Sequence, residues 1–206
     1  MIGIEAIMLG IGAYVIATIS PGPATMAIMM VSARHGRRAG LQLATGVVCG
    51  SLFWGLCAAF GLAALMAQFA GLFVVLKIAG GLYLLWLAFK AFRSSLTRGV
   101  QLQPQQVSQA GNYLLQGLAI HLTNPKAVLA WVAILAIGVQ QGAPAWHSLV
   151  MFGGCAVLGV CIFLGYALVF STARAQAVYL RARRGLEAGF GLVFGAAGVA
   201  LITDRG

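Results

Sequence analysis

Two short stretches hold the residue types that could do chemistry, Ser20-Pro21-Gly22-Pro23 and Thr123-Asn124-Pro125-Lys126. Each sits inside an otherwise apolar run. Proline removes a backbone donor and disfavours helical geometry in the residue before it, so both runs must break there. A break facing lipid would leave amides and carbonyls unpaired, so each must face protein or a water-lined cavity. A helix that restarts after Pro23 offers free N–H groups and a positive dipole end to an anion. Lys126 adds an ammonium. A charge at the bilayer centre costs at least about 2.5–3.5 kcal/mol on insertion scales, so this lysine must face inward and find a partner. The alternative is a lysine that snorkels to the headgroups. Together the two stretches suit a substrate carboxylate. Ser20, Thr25, Thr123 and Asn124 supply hydrogen bonds to a polar molecule, or cap their own backbone.

Other side chains join the candidates with weaker claims. Tyr83 and Trp86 stand one turn apart and are placed to line a cavity, where either ring could meet an ammonium by cation–π contact. Carbonyls freed at the breaks offer the ammonium a second place. His121 precedes the second break, and the ordinary imidazole pKa lies near neutral pH, which makes it a coupling candidate. Lys77 is the other, although it lies near the outer end of its run, where Glu5 could pair with it. Glu187 reads as a local partner of Arg183 and Arg184. No carboxylate falls deep in an apolar run, which argues against a cation pump built on buried acids. Cys49 and Cys57 share one run, Cys155 and Cys161 another, without a Cys-x-x-Cys or a nearby His pair. They read as small apolar residues. No nucleophile–base constellation, phosphate loop or metal cluster appears, so neither an enzyme nor a cofactor or metal site is expected.

The elements that position these residues must be membrane helices. Of 206 residues, 61% are hydrophobic and 8% charged, a composition whose surface water could not solvate. The N-terminus lacks the basic segment of a signal peptide, and its apolar run is too long for one. A net charge of +10 does not make a nucleic-acid binder, because the basic residues fall in short clusters between apolar runs.

Six spans are expected, about Ile4 to Ser32, Gly40 to Gln68, Leu72 to Phe92, Asn112 to Val139, Trp146 to Thr172 and Leu186 to Thr203. Loops are expected at Ala33 to Ala39, around Ala70-Gly71, at Gln140 to Pro144 and through the basic segment holding Arg174, Arg181, Arg183 and Arg184. Connections after spans one, three and five carry ten of the thirteen basic residues. Those sides are therefore cytoplasmic, and both termini face outward. The chain divides into repeat one (1–93), a cytoplasmic linker (94–110) and repeat two (111–206). The two repeats have opposite orientation. Both breaks lie about 12–13 residues from the inner end of their span, roughly 18–20 Å at about 1.5 Å per residue, near the midplane. Paired broken helices in inverted repeats are a transporter pattern. The expected fold is an all-α integral membrane protein, six transmembrane helices as two inverted three-helix repeats, with helices one and four broken.

These residues resemble the LysE/RhtB family of bacterial amino-acid exporters. The shared elements run in order: Ser20-Pro21-Gly22-Pro23, Gly36-Arg37-Arg38-Ala39-Gly40, Leu76-Lys77-x-x-Gly80-Gly81-x-Tyr83-Leu84 and Asn124-Pro125-Lys126. The resemblance covers nearly the whole chain. It implies about six spans in the bacterial cytoplasmic membrane and export of amino acids of the threonine or homoserine kind, driven by the proton gradient. It carries the Pro-Gly-Pro element onto Pro21, Gly22 and Pro23. Many members place a polar or acidic residue next, and here it is Ala24.

The expectation is a secondary transporter that exports a small zwitterion by alternating access. The substrate would meet Ser20, Pro21, Gly22, Pro23, Thr25, Tyr83, Thr123, Asn124, Pro125 and Lys126. Its partners are that small molecule and the bilayer, with no nucleic acid and a homo-oligomer left open. Two other classes stand beside it: a membrane thiol oxidoreductase using the four cysteines, and a helical partner subunit without transport of its own.

Overall fold

The structure, a computed structural model, describes residues 2–68, 72–97, 112–138 and 145–203. Most of the Gln- and Ser-rich linker and the turn at Gln140 to Pro144 lie outside the described residues. Every regular element among the described residues is an α-helix: α1 (Ile2–Ile19), α2 (Pro23–Gln68), α3 (Leu72–Leu96), α4 (Tyr113–Leu122), α5 (Pro125–Gly138), α6 (Ala145–Val169) and α7 (Ala173–Thr203).

The first apolar run breaks where its prolines require. Helix α1 stops at Ile19, and α2 starts with Pro23 in its first turn, where a missing N–H costs nothing. Gly22 caps α2. Its N–H donates to Thr25 Oγ1 at 2.9 Å, one half of a capping box, and its carbonyl accepts the first helical bond, from Met26 N at 2.9 Å. The second run breaks in the same way. Asn124 Oδ1 accepts from Lys126 N at 3.0 Å, Pro125 takes the first turn, and α4 and α5 meet at a bend of 59°.

Two expected loops are helical instead. Residues 33–39 continue α2, and only Gly36 leaves helical geometry, at φ 83 and ψ 176, a region open almost only to glycine. The basic segment at Arg174 to Arg184 forms the start of α7. Thr172 caps it, and Ala173 to Arg184 contains neither glycine nor proline to stop it. Charge marks these segments as lying outside the apolar core, but charge alone does not end a helix.

Helix α3 packs along α7, α2 along α4 and α6, and α1 against α5 and α6, with α5 also touching α3. The α2–α4 contact depends on two glycines. A side chain on Gly46 would run into the Leu114 backbone, and one on Gly117 into the backbone of Leu43. The outer surface is apolar. Leu9, Phe60, Phe89, Val157 and Leu192 are each more than half exposed, a face that lipid solvates and water does not. Among the described residues, α6, α7 and most of α2 are long and apolar enough to cross a membrane, and the bent α4–α5 pair makes a fourth crossing if taken as one span.

Candidate functional site

The two breaks meet. Lys126, in the first turn of α5, reaches back to the end of α1. Its Nζ donates to the Ser20 carbonyl at 3.0 Å and to Ser20 Oγ at 2.5 Å. A lysine ammonium has three donors, and Ser20 engages two of them. The Lys126 side chain also runs over Gly22, where an added Cβ would come within 3.2 Å of its Cδ and Nζ.

Breaking a helix frees carbonyls at its C-terminal end, and those need partners. Ser20 O has Lys126. Ile19 O accepts from Tyr166 OH of α6 at 2.6 Å. Beside the other break, Tyr83 OH of α3 donates at 3.2 Å to Lys126 O, a carbonyl of the first turn of α5. The meeting point is thus tied to α3, α5 and α6 by side chains rather than by backbone pairing.

Cavities lie on both sides of the Ser20–Lys126 bridge. One, of about 50 Å³, runs beside the end of α1 and the body of α5, lined by Tyr14, Thr18, Ser51, His121 and Trp131 together with Thr25. Ser51 accepts from Trp131 Nε1 at 3.3 Å and lies 3.5 Å from Tyr14 OH. His121 is buried against Phe163, and its Nδ1 has no hydrogen-bond partner among the described residues. The other cavity, of about 210 Å³, is lined by Pro21, Pro23, Pro125, Trp86, Lys90 and Glu187, with apolar walls from Leu87, Phe190 and Phe194. Ser20, Gly22, Asn124 and Lys126 line both.

The structure therefore gathers Ser20, Pro21, Gly22, Pro23, Thr25, Tyr83, Asn124, Pro125 and Lys126 around one point, with His121 on the wall of the smaller cavity. Thr123 does not join them. It is exposed, and its hydroxyl donates to Ala119 O at 2.7 Å, the local backbone bond that competes with a ligand role. The Lys77 side chain, including any pairing with Glu5, lies outside what the structure describes. Trp86 stacks on Tyr83, and its ring already carries Lys90 Nζ at 4.6 Å.

Some site residues do not stand out in the sequence. Tyr14 and Thr18 sit one turn apart on one face of α1, with Ala17 between them on the same cavity, and that spacing is the signal that could find them. Ser51 gives no signal. Glu187 reads in the sequence as a local partner of neighbouring arginines. It does pair with Arg183, at 3.4 Å, yet it is buried and lines the larger cavity. The four cysteines are unpaired thiols, and none lines either cavity.

The family described as LysE type translocator matches residues 15–205. A membrane protein of Escherichia coli K12 named YahN, itself uncharacterized, is 30% identical over 204 residues, covering 98% of this chain and 91% of its own. The threonine efflux protein of Salmonella typhimurium LT2 is 25% identical over 195 residues, or 93% of this chain and 95% of its own. The leucine efflux protein of Enterobacter sp. 638 is 34% identical over 123 residues, 60% of this chain and 58% of its own. No solved structure matches the chain.

Proposed function

We propose that this chain, which belongs to the LysE family of translocators, exports a small amino acid across the bacterial cytoplasmic membrane by proton-coupled alternating access. The observation that carries the reading is the Ser20–Lys126 bridge, two hydrogen bonds from one lysine that join two broken helices, with a cavity on each side. Breaking and remaking that bridge is the natural gate. The substrate carboxylate replaces Ser20 at the Lys126 ammonium and meets the free amides at the start of α2. Ser20, Thr25 and Asn124 complete the polar shell, and Pro21, Gly22, Pro23 and Pro125 hold the backbone open. Tyr83 positions Lys126 through its carbonyl.

Six spans are the reading the packing supports: α1 with the start of α2, the rest of α2, α3, α4 with α5, α6, and α7. Exchanging the first three with the last three maps the α2–α6 and α3–α7 contacts onto themselves. Both half-helices start with a capping residue followed by proline. This favours two inverted repeats, with the basic ends of α3 and α7 on the cytoplasmic side and both termini outside. The larger cavity is then the inner one and the smaller the outer. His121, buried with a free Nδ1 on the outer wall, is the first choice for proton coupling, and Lys77 on α3 the second.

Uptake of a series of labelled amino acids into inverted vesicles, with an imposed proton gradient, tests the reading. Gradient-driven accumulation of at least one amino acid is expected. Vesicles that match empty-vector controls for every one would overturn it.

A further inference from the structure

We infer that Glu187 receives the ammonium group of the substrate, so that the inner cavity recognises a zwitterion from both ends. The inference rests on the reading above, in which Lys126 takes the carboxylate. Other places for the ammonium are less open. Of the carbonyls freed at the end of α1, that of Ile19 accepts from Tyr166. The face of Trp86 carries Lys90.

Glu187 is the one buried acid among the described residues, at 6% exposure. It lines the same cavity of about 210 Å³ as Lys126, from the opposite element, α7. A carboxylate offers about four acceptor positions on two oxygens. Arg183 engages one of those oxygens, through Nε at 3.4 Å, while Arg183 Nη2 is held by Ser94 Oγ at 2.7 Å. Glu187 can therefore accept an ammonium without releasing Arg183 from α3. A buried carboxylate and a half-buried ammonium lining one cavity match the two charges of an amino acid. Leu87, Phe190 and Phe194 give the same cavity an apolar stretch of wall, which suits an uncharged substrate side chain.

The test compares competitors for uptake into inverted vesicles. The labelled substrate is the amino acid that the wild type accumulates. The competitors are that amino acid unlabelled, its 2-hydroxy acid, which lacks the ammonium, and its decarboxylated amine. In Glu187→Gln, competition by the amino acid should weaken about 10-fold or more, the effect of losing one charge-assisted hydrogen bond. Competition by the hydroxy acid should not change. Lys126→Ala should show the mirror pattern, losing preference for the amino acid over the amine. If Glu187→Gln does not accumulate, Glu187→Asp and Arg183→Met carry the test. Both keep the carboxylate, and both should keep the preference for the amino acid over the hydroxy acid. An equal loss for both competitors in Glu187→Gln, or loss of the preference in Arg183→Met, would make Glu187 a partner of Arg183 and nothing more. Wild-type vesicles that accumulate no amino acid would remove the export reading itself. Intact uptake with an unshifted preference in Glu187→Gln would remove this subsite alone.

Discussion

An ammonium taken out of water is tolerated only where acceptors replace the lost hydration. Lys126 has the Ser20 carbonyl and hydroxyl, two neutral acceptors. A substrate carboxylate is a stronger partner, because charge-assisted hydrogen bonds are shorter and stronger than those to neutral groups. On the proposed reading, the bridge closes the site without substrate and yields to a substrate carboxylate. Lys126→Ala should weaken apparent affinity for amino acids roughly 10- to 150-fold, the equivalent of about 1.5–3 kcal/mol. Lys126→Arg should rescue only in part, since a planar guanidinium does not fit a point-charge site beside Gly22. Concentration dependence of vesicle uptake at matched expression decides it, and wild-type kinetics in Lys126→Ala would remove the site assignment. His121 makes a separate prediction. His121→Gln keeps a polar side chain of similar size but cannot carry a proton. Downhill exchange of amino acid should persist in it, while acceleration by an imposed proton gradient should vanish. A gradient response equal to that of the wild type would exclude His121 from coupling.

Helix ends, more than helix faces, decide the function of these elements. Pro21 prevents α1 from continuing, and Pro23 begins α2 at no cost in its first turn. Changing both to Ala should let α1 run on into α2 and draw the Ser20 carbonyl back into a helical ladder, out of reach of Lys126. Insertion should be normal and export nearly absent; transport at the wild-type rate would make the break a passive kink. Gly36 is the other element-scale device, with a backbone that a side chain strains. Gly36→Ala should cost about 1–3 kcal/mol, read as a lower melting temperature in detergent, whereas Gly12, with open space around it in the middle of α1, should accept Ala without loss. The breaks and Lys126 are legible in the sequence because a proline pair or a charge is costly inside an apolar run unless it ends a helix or faces a polar site. Arg174 to Arg184 misleads because its positive charge suggests a loop, although the run holds no helix breaker. Ser51, Tyr166 and the inward face of Glu187 are not legible. Each gains its role from a residue on another helix, such as Trp131, Ile19 or Lys126, and nothing local to it announces that neighbour.

At the scale of the whole molecule, the two cavities acquire a direction only from orientation in the membrane. The larger cavity opens among Lys90, Ser94 and Glu187, close to the basic ends of α3 and α7. Arg183 and Arg184 bind those ends together through Ser94 Oγ and the Ser95 carbonyl, at 2.7 and 3.0 Å. Basic residues concentrate on the cytoplasmic side of membrane proteins, so this cavity should load from the cytoplasm, as export requires. Single cysteines at Gln141 and Gln105, in a chain whose four natural cysteines are replaced, test the direction. Cys155 is the one replacement inside a packed cluster, with Tyr14, Trp131 and Met151, so Ala there needs an activity check first. In intact cells a membrane-impermeant thiol reagent should label the probe at Gln141 and miss the one at Gln105, and inverted vesicles should show the opposite. The reverse pattern would turn the molecule over, making the larger cavity the exit, and with it the direction in which Lys126 and Glu187 receive their substrate.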